Sequence, residues 1–175
     1  MRPAKPAQLK EVVIHTDGAC RGNPGPGGYG GVLRYGIHRK EISGGYNKTT
    51  NNRMEILAAV KALEELRFPC RVKLYTDSKY LVNAIMKGWA ARWRANNWMR
   101  NKNEYAKNRD LWEILLKLCK PHDIEFIWVK GHASNKENNR CDELAVAAAT
   151  GTNLLEDHGF LEEQQPENIQ EELLF

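Results

Sequence analysis

The chain has 175 residues, 42% hydrophobic and 27% charged, enough for one domain with a real core and ordinary for a globular protein. No apolar run approaches the roughly 20 residues that a membrane-spanning helix needs, and residues 1–10 lack the apolar stretch of a signal peptide; no membrane partner is expected, and the cytoplasm is the expected compartment. The net charge of +4 is uneven: all 26 Lys and Arg fall in residues 1–150 beside 15 acids, so the body is basic enough to suit a polyanion.

Residues 11–19 are rich in β-branched side chains and end at Asp17-Gly18, which predicts a strand followed by a turn. Residues 20–28 contain Gly22, Pro24, Gly25, Pro26, Gly27 and Gly28 and read as neither helix nor interior strand. Two strands, 29–35 and 37–45, should form a hairpin at Gly36. A helix over 52–66 carries the apolar stripe Ile56, Ala59, Val60 and Leu63, with Asn52 placed to cap it. A short strand at 72–76 and a short helix at 78–86 follow.

Residues 87–109 read as irregular, with seven Lys and Arg against Glu104 and with Trp89, Trp93 and Trp98 interleaved. A helix at 110–119, a strand at 124–129, a loop at 130–136 and a helix at 137–149 complete an α/β order, a mixed sheet with helices packed on it. Residues 151–175 hold seven acids and no Lys or Arg, a tail expected to be disordered or weakly helical. Cys20, Cys70, Cys119 and Cys141 show no C-x-x-C spacing, which favours reduced thiols over a zinc site.

Four carboxylates stand in distinctive frames: Asp17 in His15-Thr16-Asp17-Gly18, Glu55 in Asn51-Asn52-Arg53-Met54-Glu55, Asp77 in Tyr75-Thr76-Asp77-Ser78, and Asp142 in Arg140-Cys141-Asp142-Glu143. His132 precedes the last of them in Lys130-Gly131-His132. If the first and fourth strands are parallel neighbours, Asp17 and Asp77 share the carboxyl edge of the sheet, where α/β proteins place their sites. Glu55 and Asp142 sit in the early turns of two helices that can point there. Acids gathered in this way repel one another unless cations neutralise them, and magnesium prefers such oxygen ligands. Each acid also has an ordinary use: a turn at Asp17-Gly18, a capping box from Asn52 to Glu55, an N-cap at Asp77, a helix-dipole partner at Asp142.

Together these frames, with the Gly-rich stretch after Asp17, resemble a bacterial type 1 ribonuclease H over about residues 11–150. The resemblance implies a ribonuclease H-like fold: a five-stranded mixed sheet flanked by helices, with a basic protrusion at 87–109. Residues 1–10 become an N-terminal extension and 151–175 an acidic C-terminal tail. The implied activity is endonucleolytic hydrolysis of the RNA strand of an RNA/DNA hybrid, leaving 5′-phosphate and 3′-hydroxyl ends. Two Mg2+ ions are implied, with Mn2+ a possible substitute; Asp17 would bridge them, Glu55 and Asp77 completing one site and Asp142 the other. His132, whose type titrates near pH 6.5, would shuttle a proton or aid product release.

The same resemblance sets RNA contacts at Gly18, Cys20, Asn23, Asn51, Asn52 and Glu55, where amides can both donate and accept at the minor-groove edge. Lys48, Thr50 and Asn108 would hold a DNA phosphate, and Trp89 would meet the DNA strand. Lys79 stands where relatives carry a neutral polar residue and would touch the RNA backbone or perturb metal affinity; Ser134 stands where they often carry Gly. A monomer is expected, with the acidic tail free to contact the basic protrusion and compete with nucleic acid. A non-catalytic hybrid-binding module is the alternative; a transposase or integrase of related fold fits less well, since such centres typically use three acids.

Overall fold

Strand β1 (Lys10–Cys20) is the middle of a five-stranded sheet ordered β3-β2-β1-β4-β5, with β2 spanning Gly25–Tyr35, β3 His38–Thr49, β4 Cys70–Thr76 and β5 Asp123–Trp128. This computed structural model describes residues 8–165. β1 runs antiparallel to β2, and β2 to β3, whereas β1, β4 and β5 are mutually parallel. The mixed sheet expected from the element order is therefore present.

The helices are α1 (Asn51–Glu64), α2 (Lys79–Met86), α3 (Trp89–Ala95), α4 (Arg109–Cys119), α5 (Lys136–Ala149) and α6 (His158–Glu163). α1 buries Met54, Ile56, Ala59, Val60 and Leu63 against Val12, Ile14, Val72 and Leu74 of the sheet, and Trp112 and Leu115 of α4 close this core. α5 covers the other face. Successive strand residues point to opposite sides, and a side chain added at Gly27 would strike Met54 of α1, whereas one at Gly28 would strike Ala145 of α5.

That geometry explains a difference from the reading of residues 20–28. β2 begins at Gly25, with a register irregularity between Gly25 and Gly27, and its glycines pair on both edges. Glycine normally weakens a strand, but here the space beside Gly28 and Gly30 is filled by the backbone of α5, which could not approach otherwise.

Local chemistry also sets two helix starts and adds a helix. α1 is capped by Thr50, whose hydroxyl accepts the Arg53 N–H at 3.2 Å; Asn52 is inside the helix, so the Asn52–Glu55 capping box does not form. α2 is capped by Ser78 and not by Asp77, with Ser78 Oγ accepting the Leu81 N–H at 3.1 Å. The 87–109 stretch is not wholly irregular: α3 forms within it, with Trp93 edge-on to the fully buried Trp112 at 6.3 Å.

Residues 151–165 pack on the domain. Leu155 pairs its backbone with Gly45 and Asn47, and Asp157 and Phe160 are buried. Asp157 caps α6 and accepts from Thr49 Oγ1 (2.7 Å) and from Arg53 Nε (2.7 Å) and Nη2 (2.9 Å). Arg53, 1% exposed, also makes a bidentate pair with Asp110 at 2.7 and 2.8 Å. The boundary expected at 150 is thus no boundary in packing, because a buried guanidinium needs carboxylates on both sides and Asp157 supplies one of them. Residues 1–7 of the expected extension and 166–175 of the expected tail lie outside the described residues.

Candidate active site

Asp17 and Asp77 meet through strand register. β1 and β4 pair from Lys10↔Cys70 to His15↔Tyr75, and the same offset continues to bring Asp17 level with Asp77 just beyond the ladder. Glu55 reaches them because α1 starts against the end of β1. The close approach requires Gly18: a Cβ there would lie 2.6 Å from the Glu55 backbone nitrogen and 2.9 Å from Met54 Cβ. Carboxylate oxygens of Asp17, Glu55 and Asp77 lie within 4.8 Å of one another.

The electrostatics of the cluster are unfavourable without a cation. Burial, and then the Asp77 charge, push the Asp17 carboxyl up to about 8, although the Gly18 N–H donates to its Oδ1 at 2.9 Å. Burial, followed by the charges of Asp17 and Asp77, drives the Glu55 carboxyl well above its usual range. Among the described residues, no Lys or Arg pairs with any of the four expected acids, and Glu55 Oε2 is buried without a hydrogen-bond partner. A buried carboxylate oxygen with no donor and two acidic neighbours is the donor set that a hard divalent cation accepts.

Asp142 does not join that tight group. It is half-buried on α5 and acts on Asp17 as a further repulsive charge. α5 is tied to β1 nearby, since the Cys141 thiol donates to the His15 carbonyl at 3.2 Å. His132 is exposed in the loop before α5, with φ 54°, a left-handed backbone that is costly for a non-glycine residue. The loop is anchored by Asn139 Nδ2, which donates to the Ala133 carbonyl at 2.9 Å, and Gly131 packs directly on the Asp77 carboxylate.

The expected substrate residues fall into separate groups. Asn23 Oδ1 accepts the Asn51 N–H at 3.0 Å, joining the Gly-rich turn to the start of α1, where Asn51 and Asn52 are exposed. Cys20 is half-buried with its thiol directed to the Gly25 and Thr49 carbonyls; the thiol is thus engaged internally. Thr50, Asn52 and Asn108 line one cleft of about 460 Å³, with Lys107, Arg109 and Glu163 on its walls. Lys48 is exposed nearby in sequence but is absent from that lining.

Asn108 is 6% exposed: its amide faces Arg53 and Tyr80, and its backbone N–H donates to Glu163 Oε1 at 2.6 Å. Trp89 is half-buried, with Lys87 Nζ 5.7 Å from its ring centre. Lys79 places its ammonium 4.7 Å from the ring centre of Trp128.

Trp128 and Arg53 were missed by sequence reasoning. Arg53 falls on the stripe shared by Ile56 and Val60, three and seven residues on, so a buried cation in need of acids was legible from helical spacing. Trp128 ends a strand immediately before the His132 loop, and only its partner across the sheet gives it a role.

The family profile described as RNase H matches residues 9–150. Among curated relatives, a Ribonuclease H from Syntrophus aciditrophicus is 66% identical over 151 residues, covering 86% of this chain and 87% of the relative. A Ribonuclease HI from Synechocystis sp. is 59% identical, covering 85% and 94%. Among solved structures, LC9-RNase H1, a type 1 RNase H with the type 2 active-site motif, superposes with a TM-score of 0.74 at 30% identity, over 83% of this chain and 74% of that one. LC11-RNase H1 in complex with RNA/DNA hybrid superposes with a TM-score of 0.61 at 26% identity, over 79% and 96%.

Proposed function

The chain belongs to the ribonuclease H family, in its bacterial type 1 branch, and is a hydrolase acting on RNA/DNA hybrids; we propose that it cuts the RNA strand with two Mg2+ ions, leaving 5′-phosphate and 3′-hydroxyl ends. The observation that carries this reading is the trio of buried Asp17 and Glu55 with half-buried Asp77, uncompensated by any protein cation among the described residues. When bound, such a pair of ions supplies an activated water and neutralises the leaving 3′-oxygen. Asp17, flanked by acids on two sides, would contact both; Glu55 and Asp77 would hold one ion and Asp142 the other. Mn2+ substitution falls within the same oxygen-ligand chemistry.

His132 supplies the proton step or helps release product from its exposed loop. His132→Ala should slow turnover roughly 10- to 100-fold without abolishing it; single-turnover and steady-state rates together separate the two roles, and an unchanged kcat removes both. A cytoplasmic setting suits the four unpaired thiols.

Gly18, Asn23, Asn51 and Asn52 would read the RNA minor-groove edge, where the 2′-hydroxyl marks RNA. The cleft at Thr50, Asn52 and Asn108 would take a DNA phosphate together with Lys48, once Glu163 yields the Asn108 N–H. Trp89 and the basic residues around α3 would follow the DNA strand as a protrusion. Hybrid affinity measured in EDTA should therefore fall steeply with NaCl, with log K losing about 0.9 per log unit of salt for each neutralised phosphate. Lys48→Ala should make that slope shallower by about one. A flat salt profile would dismiss this substrate surface.

The decisive experiment is cleavage of a strand-labelled hybrid by the monomeric chain, with Mg2+ and with EDTA, followed by analysis of the product ends. RNA-strand cutting that needs the metal supports the reading; tight hybrid binding without cutting in either condition would leave a binding module.

A further inference from the structure

Asp77 has no strand partner of its own. The β4–β5 ladder ends with Thr76 opposite Trp128 and with the Val129 N–H donating to the Thr76 carbonyl at 2.9 Å. The next residue turns out of the sheet, precedes the Ser78 cap, and carries one of the three converging carboxylates. Its backbone is nonetheless pinned. The Ser78 N–H donates to Thr76 Oγ1 at 3.1 Å, which closes the turn from below. Across the sheet, Trp128 Nε1 donates to the Asp77 carbonyl oxygen at 3.0 Å. Gly131, three residues past Trp128, lies against the Asp77 carboxylate so closely that any side chain there would displace it.

Trp128 is an unusual residue to find in this place: a large aromatic side chain 42% exposed at the end of an outer strand. Burial covers little more than half of it. The indole is held further by its hydrogen bond to Asp77 and by the Lys79 ammonium, 4.7 Å from its ring centre. Lys79 follows Asp77 by two residues, so the clamp closes around the turn that aims the carboxylate. Lys79, expected to touch the RNA backbone or perturb metal affinity, has the ring of Trp128 as its neighbour within the chain.

We propose that Trp128 is a positioning residue for Asp77, its indole N–H setting the backbone direction from which the carboxylate reaches the cation, with Lys79 holding the indole in place. The inference rests on the reading of Asp77 as a cation ligand. Its physical basis is general: losing a group that fixes a ligand's orientation typically costs about 10- to 100-fold in metal affinity or activity.

Trp128→Phe tests it, because phenylalanine keeps an aromatic ring for Lys79, though a smaller one, and removes the donor. Mg2+ titration of the full chain, followed by the backbone amide signals of Asp77 and Ser78, reads metal binding without catalysis. The variant should bind Mg2+ about tenfold more weakly, with its Asp77 and Ser78 signals already displaced before metal is added. With hybrid, kcat at limiting Mg2+ should fall by a similar factor while KM stays within about twofold, and excess Mg2+ should restore much of the rate. Lys79→Met should move the same readouts in the same direction by a smaller factor.

A folded Trp128→Phe with wild-type Mg2+ affinity and undisplaced Asp77 signals overturns the proposal. So does a lowered melting temperature with metal affinity unchanged, which would make Trp128 a packing residue only. If the wild-type chain itself neither binds Mg2+ nor cuts hybrid, the cation reading fails instead, while the metal-free Asp77 signals still report whether the indole holds that backbone.

Discussion

Asp17→Asn is expected to reduce RNA-strand cleavage by at least about 10³-fold, on the order of 4 kcal/mol of transition-state stabilisation, while making the metal-free protein more stable near pH 8. The two effects have one cause. Asp17 sits in a buried cluster whose repulsion is useful only when cations occupy it, and burial with the nearby Asp77 charge lifts its carboxyl from the ordinary 3.8 to about 8. The folded chain therefore holds that proton more tightly than the unfolded chain. The stability this confers is full below about pH 4 and is lost as pH rises through about 8. Asparagine carries no charge to lose, and relief of a buried uncompensated charge is worth about 2 kcal/mol.

Thermal denaturation at pH 5 and pH 8, in EDTA and in Mg2+, reads the second effect. The wild type in EDTA should lose stability between the two pH values, the variant should lose less, and Mg2+ should flatten the wild-type difference. A variant no more stable than wild type at pH 8 would mean that the cluster is not strained by charge, and retained cleavage would remove Asp17 from the chemistry.

Arg53→Ala should have the largest effect on stability. The guanidinium is almost wholly buried and spans Asp110 on α4 and Asp157 before α6, so its removal leaves the buried Asp157 without its main partner. Breaking a buried pair from one side costs about 3–5 kcal/mol, which lowers Tm by on the order of 10 °C in a chain of this size. Burial works to raise the Asp157 carboxyl, but hydrogen bonds from Arg53 and Thr49 outweigh it and leave the group below its usual 3.8. That contribution is present above the unfolded value and is lost as pH falls through the lower folded one. The gap between wild type and variant should thus be widest near pH 7 and narrow towards pH 3. Melting curves at both pH values check this; an equal gap at both, or none, would show that the pair contributes no such linkage.

Much of this molecule was legible before any coordinates. Alternation and turn residues located all five strands, and the apolar stripe through Ile56, Ala59, Val60 and Leu63 announced α1. The four acids and His132 stood out because their frames recur together in one family. The errors cluster where a local rule competed with a distant neighbour. Gly27 and Gly28 read as breakers, yet they lie in a strand because Thr49 and Met54 on one face and α5 on the other fill the space beside them. Asn52 read as a cap, yet Thr50 won the position two residues earlier. The stretch after 150 read as disordered or weakly helical; α6 forms there, but composition does not reveal that Asp157 answers Arg53 from 104 residues away.

The sequence by itself determined the residue types, the periodicities and the family, because these depend on side-chain chemistry and on spacing within single elements. Only the tertiary structure decided which charges meet. The parallel register of β1 and β4 sets Asp17 level with Asp77, Gly18 lets Glu55 in beside them, and Asp142 stands apart from that trio as a further charge on Asp17. The same is true of the Trp128 bond to Asp77 and the Glu163 bond to Asn108. The reason is physical: Coulomb and hydrogen-bond energies vary over a few ångströms, a precision that positions along a chain do not carry and a packed sheet does.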